Sequence, residues 1–354
     1  MKVVCATRVG NMKDPNPETR GTVGIVEMPV KELKDDEVLI KVAYCGICGS
    51  DPHVVDGCFN KPEDAPFGIG HEMSGVIAKL GKNATAKGLK VGDRVGGNFL
   101  GYCGKCYYCS IGQPEYCTSI GNEPCMAEYV VWNESQVCKL PDSVSLREGS
   151  LMEPLSIAVR AMDKVGMLVG KRVLVSGGGP IGQLCCQLAA KYGAAELTLS
   201  EPVGSRCELA KKIGVEHIIN PITDDVYARA MEITNGIGYD VIIECSAVPS
   251  AAVTVLRCAA KYANVLYVAQ FPTDYEMPLN LFEYCYMRQV NISGMYCAHF
   301  NFERTAEYLK YVDLSAFTSD EQVFDMDDVE KAFEVHLTSK YPKILIRCNK
   351  FDGE

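Results

Sequence analysis

From residue 171 onward the chain repeats short apolar runs, spaced so that a helix fits between each and the next. Val173-Leu174-Val175 leads, followed by Leu197-Thr198-Leu199, His217-Ile218-Ile219, Val241-Ile242-Ile243, Val265-Leu266-Tyr267-Val268 and Val290-Asn291-Ile292-Ser293. Strands alternating with helices connect by right-handed crossovers, so this segment is expected to be a doubly wound parallel sheet with helices on both faces. The first strand, 171–176, runs straight into Gly177-Gly178-Gly179-Pro180-Ile181-Gly182, and a helical stretch then continues to Tyr192, with Gly193 as the stop. That is G-x-G-x-x-G in the strand–turn–helix context it requires. Gly177 permits the tight turn, Gly179 lets backbone approach a pyrophosphate, and Gly182 allows close helix–strand packing. Pro180 and Ile181 open the helix, whose N-terminus would carry the anion. Glu201 closes the second strand about twenty residues further on, where a carboxylate would hold the adenosine ribose hydroxyls and repel a 2′-phosphate. NAD is therefore expected over NADP, with Arg206 close enough to meet a phosphate instead.

Residues 1–155 have a different rhythm. Val38-Leu39-Ile40-Lys41-Val42, Val76-Ile77-Ala78-Lys79-Leu80 and Tyr129-Val130-Val131-Trp132 are strand-length runs between Gly, Pro and Asp turns. Within this β-rich part Cys103, Cys106 and Cys109 stand at two-residue gaps, and Cys117 closes the group. Such gaps let thiolates face one centre, which suits a closed tetrahedral structural zinc. Chance would produce the pattern in a chain this rich in cysteine about twice in a thousand sequences. A second group is open: Cys45 and Cys48 in Cys45-Gly46-Ile47-Cys48-Gly49-Ser50-Asp51-Pro52-His53, the pair His71-Glu72, and Glu153 before Pro154. Cysteine, histidine and carboxylate together make a catalytic zinc set that leaves a position for water or substrate.

These motifs, in this order, resemble the zinc-dependent medium-chain alcohol dehydrogenases, in particular the polyol, butanediol and threonine branch. The resemblance covers essentially the whole chain. It rests on Gly46 to Asp51, Gly70-His71-Glu72, Val91-Gly92-Asp93-Arg94-Val95, the four-cysteine lobe, Glu153-Pro154-Leu155 and the glycine loop. It implies a Rossmann nucleotide domain at 158–296 and a co-chaperonin-like β-barrel catalytic domain at 1–157 and 297–354, with zinc and nicotinamide meeting in the cleft between them. It implies Cys48 and His71 as catalytic ligands, with Glu72 and Glu153 as alternatives for the third place, one of them binding through water. Ser50 would hydrogen-bond the bound alcohol, and His53 would be the outer member of its proton relay, a residue type that titrates near neutral pH. Zinc can bring a bound hydroxyl's pKa from roughly 16 toward 7. Val54 stands where polyol members carry an aromatic residue, and Gly294-Met295-Tyr296-Cys297-Ala298-His299 lacks their arginine, so sorbitol itself is not the expected substrate. Arg160, Glu123, Asn122 and His299 are further polar candidates for the pocket.

The expected activity is reversible oxidation of a secondary alcohol, in a polyol, cyclitol or sugar, by NAD with two zinc ions per chain. A threonine- or butanediol-type dehydrogenase is the alternative. A non-catalytic zinc and nucleotide binder is disfavoured by Ser50 and His53, since binding needs no proton path. The net charge of −10 and the lack of a Lys/Arg run longer than two argue against nucleic acid as a partner. No apolar stretch reaches the 18 or so residues of a membrane helix, and the N-terminal run is too short for a signal peptide. Eighteen cysteines in such a chain point to reduced thiols and metal ligands, hence the cytoplasm. A homodimer or homotetramer is expected.

Overall fold

The computed structural model describes residues 1–58, 60–299 and 301–351. The chain forms two compact units, Leu155–Ala298, and Met1–Pro154 together with His299–Glu354.

In Leu155–Ala298 six parallel strands lie in the spatial order His217–Ile219, Glu196–Ser200, Arg172–Ser176, Tyr239–Glu244, Ala259–Tyr267 and Asn291–Gly294. Counted along the chain this is 3-2-1-4-5-6, the doubly wound order, and it reverses direction beside Arg172–Ser176. The central strands are buried along nearly their whole length, as sheets covered on both faces must be. Helix Pro180–Lys191 follows the first strand. Gly179 is its N-cap, and Pro180 occupies a first-turn place where a missing N–H costs nothing. Leu184, Cys185, Cys186, Leu188 and Ala189 form its buried side. Gly193, at φ +81°, turns the chain back toward the sheet.

The other unit is built on β-sheets. Glu37–Ile47 is its longest strand and pairs antiparallel with Glu72–Leu80 on one side, and with Tyr129–Asn133 and Ile344–Arg347 on the other. The C-terminal segment thus completes a sheet begun near the N-terminus. The opening apolar run is itself a strand, Lys2–Arg8, paired with Thr22–Glu27 and Phe67–Gly68 in a second sheet. Val4, Ala6 and Val23 of that sheet share a core with Ile40, Val42, Met73, Trp132 and Phe333, so the two sheets close around one interior. Among the described residues no helix is long and apolar enough to cross a membrane, and every cysteine is free of disulfide bonds.

Candidate active site

Strand register brings together the candidate open metal site. Glu37–Ile47 and Glu72–Leu80 pair with Gly46 opposite Glu72. Cys48, just past the first strand, therefore comes beside His71 and Glu72 at the start of the second. Gly70, at φ +88°, makes the turn into His71. The sulfur of Cys48, a ring nitrogen of His71 and a carboxylate oxygen of Glu72 lie within 4.8 Å of one another. Thiolate, imidazole and carboxylate match zinc's preferences and fill three of four tetrahedral places. The Asp51 carboxylate, 1% exposed, supports two of them. Its Oδ2 accepts from the Cys48 N–H at 2.8 Å, and its Oδ1 lies 3.5 Å from His71 Nδ1. Burial lowers the His71 pKa, but the Cys48 thiol and Asp51 outweigh it and leave the imidazole well above its usual range. Glu72 is bound through both oxygens by Lys343 Nζ, at 2.6 and 2.8 Å.

Glu153 is not among the atoms that converge. It lies in the first turn of helix Met152–Val165, and burial pushes its pKa up to about 7, with the charges of His71, Glu72, Lys343 and Asp51 acting on it too. Ser50 begins helix Ser50–Val55 and is half-buried, whereas His53 is exposed. Three residues apart on a helix, they share a face. Cys45, the alternative to Cys48, is buried with its sulfur 3.9 Å from Cys125 Sγ and is not part of the converging set.

Cys103, Cys106, Cys109 and Cys117 form a second convergent group. Helix Tyr107–Ser110, the 3₁₀ turn Pro114–Tyr116 and the short strand pair Leu100–Gly101/Gly121–Asn122 hold its loops. Backbone N–H groups of Cys103 and Ser119 point at Cys117 Sγ, each at 3.4 Å. Similar donors from Cys109 and Thr118 pull Cys106 down to about 6, while burial and neighbouring thiols push Cys109 up to about 12. Four thiols in one place cannot all ionise without a cation, and as thiolates they fit a closed zinc site.

In the other unit Gly177 takes φ +93°, and a Cβ there would stand 2.8 Å from the backbone of Ser246, at the point where the sheet order reverses. A Cβ on Gly182 would be 1.8 Å from the Gly177 carbonyl oxygen, whereas one on Gly179 would meet nothing within 4 Å. The first and third glycines are thus required by the protein's own packing, and Gly179 faces open space. Glu201 is buried and accepts from the N–H of Gly178 at 2.5 Å and of Val203 at 2.8 Å. Arg206 Nη1 lies 3.8 Å from its carboxylate. Of the other polar candidates, Glu123 pairs with Lys31, and His299 Nδ1 lies 2.8 Å from Glu115 Oε2 in the four-cysteine lobe. Asn122 is exposed in a short strand. Asp51 and Lys343 are the site residues that sequence reasoning missed. Asp51 stood inside a quoted motif, but no local pattern marks Lys343.

Two family models match the chain, an alcohol dehydrogenase GroES-like domain at residues 34–142 and a zinc-binding dehydrogenase domain at 180–314. The chain is 32% identical over 321 residues to 2-dehydro-3-deoxy-L-galactonate 5-dehydrogenase of Pseudoalteromonas atlantica, covering 88% of this chain and 92% of that protein. It is 30% identical to sorbitol dehydrogenase of Bacillus subtilis over 352 residues, 96% of this chain and 98% of the relative. Among solved structures, a candidate zinc-binding dehydrogenase from Clostridium scindens superimposes with TM-score 0.90 at 32% identity, covering 98% of this chain and 99% of that one. With these two family models and relatives over nearly the whole chain, the chain belongs to the zinc-dependent medium-chain dehydrogenases, in their polyol branch.

Proposed function

We propose that the protein interconverts a secondary alcohol and its ketone with NAD, using one catalytic and one structural zinc ion, on a polyol, cyclitol or sugar. The convergence of Cys48, His71 and Glu72 carries this reading, because three donors of that kind leave room for a substrate oxygen. Bound zinc supplies Lewis acidity that brings an alcohol's pKa toward about 7, and NAD supplies the hydride acceptor. Ser50 orients the substrate hydroxyl and, as it accepts that proton, releases its own hydroxyl proton outward toward His53. His53, exposed on the same helix face, passes that proton to solvent. Asp51 fixes the orientation of the His71 ring. Glu153 is assigned as a polar neighbour of the three ligands, with Glu72 as the third. Cys103, Cys106, Cys109 and Cys117 hold the structural ion.

Gly177 to Gly182 receive the pyrophosphate, and Glu201 receives the adenosine ribose. Its carboxylate, anchored on the N–H groups of Gly178 and Val203, keeps lone pairs for hydroxyl donors and repels a 2′-phosphate. NAD is accordingly assigned over NADP. The assignment extends to the cytoplasm, supported by the free thiols, and to a homodimer or homotetramer.

The test is NAD reduction across polyols, inositols, sugars and sugar acids, butanediol, threonine and primary alcohols. A polyhydroxylated secondary alcohol should exceed threonine by roughly tenfold or more in kcat/KM. A preference for threonine or for primary alcohols would replace this substrate class.

A further inference from the structure

Lys343 sits at the proposed metal site although no ligand role requires it. It precedes the last strand, Ile344–Arg347, whose register places Ile344 opposite Ile47. The ammonium therefore arrives beside Cys48 from the far end of the chain. Nζ donates to both oxygens of Glu72 and, at 3.1 Å, to the carbonyl of Ile47, so its three donors are all committed. Lys343 is 3% exposed and Glu72 1%. The paired strand crowds the carboxylate as well: a Cβ at Gly46 would stand 2.2 Å from Glu72 Oε2. Glu72 is thus held in one place, with two of its roughly four lone-pair directions occupied by the lysine.

We propose that Lys343 is a positioning residue that shares Glu72 with the metal, holding that carboxylate to one-oxygen, exchangeable coordination and cancelling one negative charge of the ligand set. The proposal rests on Glu72 being the third ligand. Cys48 and Glu72 together would neutralise a dication and blunt its Lewis acidity, and the lysine restores one positive charge directly on that carboxylate. The sign of the expected effect separates this role from a structural one. A lysine that merely braced the fold would, when lost, loosen the metal. A lysine that competes for Glu72 would, when lost, leave the metal held more tightly by a stronger carboxylate, while turnover falls.

The experiment uses the full-length enzyme with cobalt exchanged into the Cys48 site and Lys343→Gln, Lys343→Arg, Glu72→Gln and the double Glu72→Gln/Lys343→Gln variants. In Lys343→Gln the visible cobalt bands should weaken as coordination number rises. Cobalt release to a chelator should slow, and kcat should fall by roughly tenfold. Lys343→Arg should stay near the parent. In the Glu72→Gln background, removing Lys343 should change the cobalt spectrum no further. Faster release from Lys343→Gln, an unaltered spectrum, or the same spectral change without Glu72 would each overturn the proposal. Glu72→Gln with a parental cobalt spectrum would instead overturn the ligand assignment beneath it. If Lys343→Gln does not fold, Lys343→Arg against the charge-balanced double variant carries the comparison, and an arginine variant whose cobalt spectrum matches that of the double variant would be the contrary result.

Discussion

Two alanine substitutions in the glycine loop should separate the fold's demands from the cofactor's. Gly179 has φ −66° and ψ −175°, open to any residue, and a Cβ there meets nothing within 4 Å. Gly179→Ala should therefore leave stability unchanged or raise it by about 0.4–1 kcal/mol through the unfolded chain. At Gly182 the added carbon would be 1.8 Å from a carbonyl oxygen, where about 3.3 Å is the normal approach. The helix must recede by roughly 1.5 Å, an overpacking that costs about 1–3 kcal/mol. At about 2–4 °C per kcal/mol, the unit should melt some 2–12 °C lower. Cofactor binding should weaken in both. If the pyrophosphate lies against Gly179, a methyl there displaces it from backbone donors worth about 1.5–3 kcal/mol each, which weakens NADH by about 10- to 10²-fold. Fluorescence titration with NADH and thermal melts on the same preparations give both quantities. Gly179→Ala binding NADH within about twofold of the parent would refute the placement of the pyrophosphate, whatever Gly182→Ala does.

Metal analysis should find close to two zinc ions per chain. Cys103→Ser should lose one ion together with solubility, because the remaining thiols are left uncompensated, whereas Cys48→Ser or His71→Ala should lose the other and stay folded with little turnover. Glu201→Ser should narrow the preference for NAD over NADP in kcat/KM. Because Glu201 also holds the Gly178 and Val203 N–H groups, the KM for NAD should rise too, and an unchanged KM would contradict that anchoring. Ser50→Ala should lower kcat by roughly 10² or more. His53→Ala should cost less and be partly rescued by imidazole, since solvent can replace an exposed relay member; a parental kcat in Ser50→Ala would remove the relay.

Local pattern made the glycine loop and the four-cysteine lobe legible, because every member of each lies within a short stretch of chain. The strands of the doubly wound sheet were legible for the same reason: buried parallel strands are short apolar runs, and each was visible in sequence. Long-range register was not. Glu72 comes beside Cys48 because Gly46 pairs with Glu72, which no spacing encodes, and Glu153 stays outside the converging set. Lys343 is 271 residues from Glu72, and in sequence it is only a lysine ahead of an apolar run, Ile344-Leu345-Ile346. The pairing of His299 with Glu115 is of the same kind, a contact within the unit that joins Met1–Pro154 to the C-terminal segment. Glu201 follows directly on the strand Glu196–Ser200, but its grip on the Gly178 N–H comes from the packing of the loop and has no sequence signature.

The central claim, hydride transfer to NAD dependent on a metal held by Cys48, His71 and Glu72, is tested most directly by following NADH formation on the best polyhydroxylated alcohol before metal stripping, after it and after zinc is returned. Turnover should disappear when the Cys48 site is emptied and return with zinc in proportion to its occupancy, and Cys48→Ser should stay inactive throughout. NADH formation that survives removal of that ion, or that Cys48→Ser retains, would contradict the account.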